Sequence, residues 1–301
     1  MAWWQLSIQC SAAELEQTES VLLELGALSI NISDAKDEPI YEPLPGHTPV
    51  WQNSIVTGMF DSQLHPEQLY QSLSERLPEH LLGSLRQNQL EDQDWVQAYR
   101  DHYFPIQCAD RLWIVPSWHQ APDPAAINII LDPGLAFGTG GHPTTALCLA
   151  WLAENAIQNQ SVIDYGCGSG ILAIAACKLG ATTVLGVDID PQALDASREN
   201  ARRNQITTEQ FQLSLPDSMD RSTVDLLIAN ILSGPLVELA ESLAALVKPG
   251  GKILLSGILQ QQANEIQSAY QVYFNIEPVL AKENWIRVTG TRKNDQENTS
   301  R

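Results

Sequence analysis

Residues 162–170 read Val162-Ile-Asp-Tyr-Gly-Cys-Gly-Ser-Gly170. A short apolar run enters three alternate glycines, and Ile171-Leu-Ala-Ile-Ala-Ala-Cys-Lys178 continues with helix formers, so the segment reads as strand, turn and helix. Glycines at such a turn let a ligand approach the backbone, and the first N–H groups of the helix are expected to point outward, as a nucleotide-type ligand requires. The spacing is GxGxG after Asp164, whereas the dinucleotide fingerprint asks for GxGxxG. The first acid ending the next strand is Asp188, 22 positions after Gly166, where either arrangement places a partner for ribose hydroxyls.

Outward from the turn, β-rich runs alternate with amphipathic helices. Strands are expected over 162–165, 183–189, 211–215, 224–229 and 252–259, with helices reaching 179, 204 and 247 between them. Crossovers of that length join parallel strands, so this half should be a Rossmann-like, doubly wound α/β sheet. A helix over 260–273 and closing strands over 275–280 and 285–291 would add a hairpin to its edge. Upstream, strands over 111–118 and 127–131 lead into Asp132-Pro-Gly-Leu-Ala-Phe-Gly-Thr-Gly-Gly-His-Pro-Thr-Thr145 and a helix over 144–156.

The first 90 residues have another rhythm. Trp4-Gln-Leu-Ser-Ile-Gln-Cys10 alternates like a half-buried strand, a helix over 12–25 carries Leu15, Leu22 and Leu25 and ends at Gly26, and Leu28, Ile30 and Ile32 alternate again. A strand over 54–60, a helix over 66–77 and a strand within 82–90 complete the order βαββαβ, that of a ferredoxin-like α+β domain. Residues 91–105, acidic and aromatic with Trp95 and Tyr99 one turn apart, read as a helical linker. The expected organisation is a ferredoxin-like domain over 1–90, a linker over 91–105, an α/β domain over 106–293 and a polar tail over 294–301.

The 301 residues carry 17 Lys+Arg against 36 Asp+Glu, a formal charge of −19 with no basic stripe, which argues against direct nucleic-acid binding. Residues 1–110 hold only Lys36, Arg76, Arg86 and Arg100 against 17 acids, a balance of −13 that suits a basic protein partner. Cys10, Cys108, Cys148, Cys167 and Cys177 include no CxxC pair; reduced thiols in a cytoplasmic protein fit better than a disulfide framework or a zinc knuckle. The stretch MAWWQLSIQC has no basic run or long apolar run, and nowhere do ~18 uninterrupted apolar residues occur, so neither a signal peptide nor a membrane span is expected. No metal site is read, and a monomer is expected.

Five segments in order, LDPGLAFGTGGHPTT (131–145), VIDYGCGSGILAIAACKLGA (162–181), GVDIDPQAL (186–194), NARRN (200–204) and ANIL (229–232), resemble the ribosomal protein L11 methyltransferase family of class I S-adenosylmethionine-dependent methyltransferases. WQLSI and EPLPG extend the resemblance over nearly the whole chain. Gly141 departs from it, standing where a polar residue is expected within GTxxHPTT. The resemblance implies S-adenosylmethionine as cofactor, with Thr145 at its methionine end, Gly166 giving it backbone approach, Asp188 accepting from its ribose hydroxyls and Asn230 facing both methionine and incoming amine. His142 and Phe137 are candidates to line the pocket or to serve structure alone. The implied activity is methylation of amino groups, lysine side chains and possibly the N-terminal amine, on a basic large-subunit ribosomal protein that the N-terminal domain recognises.

Three other readings compete. A nicotinamide-dependent oxidoreductase would use the same turn but not its GxGxG spacing or the second Gly-rich run. An amide methyltransferase acting on a release factor would carry Asn-Pro-Pro-Tyr where this chain has Asn230-Ile-Leu-Ser. A non-catalytic cofactor-binding module is not excluded by any residue. Methyl transfer from a sulfonium is an in-line displacement that asks for alignment and exclusion of water. No general base is assigned, because burial beside a positive sulfonium itself lowers an amine's pKa.

Overall fold

Alternate residues are buried along Trp3–Ser11 (β1) and Asn53–Asp61 (β3), which pair antiparallel from Trp3↔Asp61 to Ser11↔Asn53. The computed structural model describes residues 3–36, 49–64, 66–90, 103–132 and 140–294. The chain divides into two compact units, Met1–Ala98 and Tyr99–Arg301. Of the expected linker, 91–102 lies outside the described residues and 103–105 has no regular structure; Phe137 and 295–301 also lie outside.

In the first unit Ser29–Asp34 (β2) flanks β3 and Arg86–Leu90 (β4) flanks β1, giving the antiparallel order β2-β3-β1-β4 of the ferredoxin-like arrangement. Leu6, Ile8, Val56 and Phe60 face Leu15–Glu24 (α1), Pro66–Ser74 (α2) and Glu79–Leu82 (α3), meeting Leu22, Leu73 and Leu81 in one core. Gln5, Ser7, Gln9, Asn31, Thr57 and Asn88 lie on the opposite side of the sheet together with Ile55, Met59, Asp61 and Arg86, with the Ser7 and Thr57 hydroxyls 2.8 Å apart. The helices carry Glu16, Glu19 and Glu24 of α1, Glu67 of α2 and Glu79 of α3.

The second unit opens with a three-stranded sheet of Ile106–Ala109 (β5), Leu112–Val115 (β6) and Ile127–Ile130 (β7). β5 was not expected, and the strand expected over 111–118 stops at Val115, before Pro116. The outer edge of β7 is met by a side chain: Asn204 Oδ1 accepts from the Ile130 N–H at 2.8 Å while Nδ2 donates to the Ile130 carbonyl at 2.7 Å.

In the main sheet Phe211–Ser214 (β10), Thr183–Val187 (β9), Ser161–Tyr165 (β8), Val224–Asn230 (β11) and Val247–Leu259 (β12) run parallel in the order β10-β9-β8-β11-β12. Period two sorts their residues. Val162, Leu226, Ile228 and Leu254 join the core under Pro143–Glu154 (α4), Ile171–Lys178 (α5) and Pro191–Arg203 (α6). Ile163, Leu227, Ala229, Ile253 and Leu255 join the one under Ser233–Glu238 (α7), Ala240–Ala245 (α8) and Ala263–Tyr270 (α9). Strands buried on both faces carry near-continuous apolar runs, as β11 does.

Three expectations need correction. The helix expected to reach 247 is two, α7 and α8, because Leu239 adopts φ −90°, ψ 0°. The helix over 260–273 is a 3₁₀ turn, Gln260–Gln262, followed by α9. At the sheet's edge Trp285–Arg292 (β15) lies inside, antiparallel to β12 on one side and to Phe274–Ile276 (β13) and Leu280–Lys282 (β14) on the other. Pro278 falls in the gap that divides the strand expected over 275–280. No helix among the described residues is long and apolar enough to cross a membrane.

Replacing Asn204 by Ala strands two backbone groups of Ile130 in a poorly hydrated place, and urea unfolding should show a loss of about 1–3 kcal/mol. The neighbouring Arg203–Asp132 ion pair, 2.7 Å long but partly exposed, should cost less than about 1 kcal/mol when Arg203 is changed to Ala.

Candidate functional site

Strand order reverses between β8 and β11, so the connections leaving their C-terminal ends depart to opposite faces of the sheet and a crevice opens between them. Gly166 follows β8, Asp188 follows β9, Asn230 ends β11, and Thr145 lies in the first turn of α4. All four residues singled out in the sequence thus belong to elements that meet at one edge of one sheet.

The turn after β8 is tied down from several directions. The N–H groups of Gly166 and Cys167 both donate to the Val187 carbonyl, at 2.7 and 3.0 Å, and that of Gly170 donates to the Cys167 carbonyl at 2.8 Å. Gly168 N–H donates to Asp188 Oδ2 at 2.8 Å. From α6, Ser197 Oγ donates to the Gly168 carbonyl and Asn200 Nδ2 to the Ser169 carbonyl, both at 2.9 Å. Asp164 Oδ2 accepts from Ala173 N–H in the first turn of α5 at 3.0 Å. The expectation that N–H groups point outward is therefore not met at these positions: they are spent inside the protein, and a carboxylate of the chain occupies the helix start. A pyrophosphate needs such donors, whereas a ligand presenting hydroxyls and a cationic amine does not.

Asp188 is held through both oxygens, Oδ2 by Gly168 and Oδ1 by the Asp190 N–H at 3.0 Å. Each oxygen has a second lone pair, so the fixed carboxylate can still accept from a diol. Asn230 Nδ2 donates to Thr145 Oγ1 at 3.4 Å, and Asn230 Oδ1 is buried without a donor among the described residues. A buried amide oxygen left so costs about 1–3 kcal/mol, which a ligand bearing N–H groups would relieve. Thr145 is fully buried, which fixes the hydroxyl that orients the amide.

His142 turns out to cap α4: its Nδ1 accepts from the Thr144 N–H at 3.4 Å and lies 2.7 Å from Thr144 Oγ1. Its ring packs edge-on against Trp285, with centroids 4.8 Å apart. Burial lowers its pKa against the opposing pull of Glu283, so the ring is mostly neutral at pH 7. Gly141 is not imposed by packing, since a Cβ there would meet only Ile106 Cδ1 at 3.9 Å. Burial pushes the Cys167 thiol well up, so the cysteine inside the turn is no thiolate nucleophile.

Sequence reasoning missed the supports: Ser197 and Asn200, one helical turn apart on α6, and the burial of Asp164. A polar pair at i, i+3 on the apolar side of a helix was the available signal for the first two. Asp164 is pushed up to about 7, chiefly by burial, with the Ala173 bond pulling it down and the nearby Asp188 pushing it further up.

With this geometry in place, the relationships of the chain are informative. The family model described as "Ribosomal protein L11 methyltransferase" matches residues 2–293. The chain belongs to that family. Ribosomal protein L11 methyltransferases of Marinobacter nauticus and Azotobacter vinelandii are 49% and 48% identical to it over 296 and 297 residues, covering 97% of this chain in each case and 99% and 100% of theirs. The crystal structure of a ribosomal protein L11 methylase from Lactobacillus delbrueckii subsp. bulgaricus superposes with a TM-score of 0.59 at 36% identity, over 64% of this chain and 100% of the other. The Rossmann-like fold and the methyltransferase class follow, with S-adenosylmethionine as cofactor, and the oxidoreductase alternative has no support.

The buried Asp164 makes stability depend on pH. Its folded pKa, about 7, lies above the ordinary 3.8, so the native state holds a proton that the unfolded chain releases. The contribution of this group is full below about pH 4, is lost as pH rises toward 7 and is level above it. The drop is on the order of 4 kcal/mol at 1.36 kcal/mol per pH unit. Thermal melts of Asp164→Asn, which keeps an acceptor for Ala173, should lose this slope and exceed the parent's melting temperature at pH 8.

Proposed function

We propose that this chain methylates ribosomal protein L11 at amino groups, lysine side chains and the N-terminal amine, acting as a cytoplasmic monomer whose first unit captures the basic substrate. The observation that carries the amine reading is the Asn230 amide, whose buried Oδ1 asks for an N–H donor beside the cofactor turn. When bound, S-adenosylmethionine supplies a methyl group already activated on sulfur. The chain's residues bind and align. Asp188, fixed by Gly168 and Asp190, would accept from the ribose hydroxyls. Thr145 would hold the Asn230 amide, and Oδ1 would accept from the methionine ammonium or the incoming amine.

A free lysine amine with pKa ≈ 10.4 is charged at pH 7, and making it neutral costs roughly 4.6 kcal/mol. Burial and repulsion by the sulfonium work in the required direction, and no side chain is assigned as a base. The acid on α1, α2 and α3 supports capture of a basic protein, since complementary fields speed encounter and reject wrong partners.

Mass spectrometry of purified ribosomal proteins incubated with labelled cofactor tests the substrate: several methyl groups on L11 lysines are expected, rising with pH and falling with salt. Label confined to RNA or to a glutamine amide would overturn the substrate while sparing the cofactor. Calorimetry tests the site: Asp188→Ala should weaken S-adenosylmethionine binding by about 1.5–3 kcal/mol, the worth of a charge-assisted hydrogen bond. An unchanged affinity in a folded variant would reject that assignment.

A further inference from the structure

β11 ends at Asn230, which pairs with Ser256, and the chain must leave the sheet to enter α7 at Ser233. β12 continues three residues beyond that pair, and its register with β15 slips between Leu255 and Ile258. Gly257 lies in the slip with φ +83°, and a Cβ built on it would stand 2.2 Å from the Ile231 carbonyl oxygen and 2.7 Å from the Ile231 carbonyl carbon. Gly166, on the other side with φ +77°, would place a Cβ 2.1 Å from Ile231 Cγ2. Real Cβ atoms essentially never come closer than 3.0 Å to such a neighbour. One residue thus rests its peptide on one glycine and its side chain on another.

We propose that Ile231 is a positioning residue: wedged between Gly166 and Gly257, it locks the end of β11, and so the Asn230 amide, to the cofactor turn. The inference rests on the cofactor reading above. The space a Cβ would take at Gly166 is filled by Ile231, so the absence of a side chain there serves that packing. Asn230 is one peptide bond from the wedge, and a shift of about 1 Å in an aligning group can cost on the order of 100-fold in rate. The two glycines differ in kind. The obstruction at Gly166 is the branch of a side chain, which substitution can shorten; the obstruction at Gly257 is backbone, which it cannot.

The test uses the full chain with Ile231→Ala, Gly166→Ala, Gly257→Ala and the combinations of each glycine change with Ile231→Ala. Urea unfolding is read for all, with S-adenosylmethionine affinity and kcat and KM on ribosomal protein L11. Gly166→Ala should unfold at lower urea and bind cofactor at least about tenfold more weakly, and Ile231→Ala should restore part of both losses, the left-handed backbone at 166 limiting the recovery. No such rescue is expected for Gly257→Ala. Ile231→Ala alone should stay folded and lose about tenfold or more in kcat with KM for the protein substrate little changed, the split expected when alignment and not binding suffers. The proposal is overturned if the 166/231 double variant is no better than Gly166→Ala, or if Ile231→Ala keeps full kcat. Failure of the parent chain to bind S-adenosylmethionine would sink the cofactor reading, and the unfolding cycle would still decide the wedge.

Discussion

Everything at the candidate site depends on the central strands β8 and β11 being buried on both faces. Val162 and Ile163, or Ile228 and Ala229, are neighbours in sequence that must each find a core on opposite sides of one sheet. Covering both faces with helices from a single chain, with right-handed crossovers throughout, forces a reversal in strand order. The reversal falls between β8 and β11. The crevice is therefore a by-product of how the hydrophobic layers are filled, and the turn at 166–170 and the amide of Asn230 stand on its two sides because their strands do.

The turn shows a second economy. Its amides are satisfied by Val187, Asp188 and Cys167, and its carbonyls by Ser197 and Asn200, so its shape does not wait on a ligand. What remains for a ligand is side-chain chemistry, a carboxylate at Asp188 and an amide at Asn230. That is a poor match for polyphosphate and a good one for a molecule with a diol at one end and an amine at the other.

Legibility in the sequence followed the range of the interaction. The period-two runs of β1 and β3 and the glycine turn with its trailing acid are local, and the βαββαβ order and the parallel sheet could be read from them. The break at Leu239 could not, because the hydrogen bonds from Leu239 to Pro235 and from Leu243 to Leu239, at 3.0 and 2.8 Å, keep the helical pattern of apolar residues running across it. β5 was missed because Ile106-Gln-Cys-Ala109 is half exposed and without clear alternation. That β15 lies inside the edge hairpin is a choice of pairing partner, to which hydropathy is blind. At the site, Asp188 and Asn230 were accessible as residues ending strands. Ile231 was not, since its role exists only between two glycines 91 positions apart, although Gly257 inside a strand was a visible hint of a bulge.

The side chain that closes the edge of β7 also orders events in time. Asn204 reaches back across 74 positions to Ile130, so during synthesis the lead-in to the Gly-rich run is made long before the group that completes it. Until α6 has emerged, β7 carries an open edge, the kind of unpaired strand that recruits other chains. A helix terminus that supplies one side chain in place of a fourth strand shortens that exposure to the time needed for α4 and the two βα units β8–α5 and β9–α6, whereas a strand recruited from β13 onward would leave the edge bare until nearly the whole unit had been made.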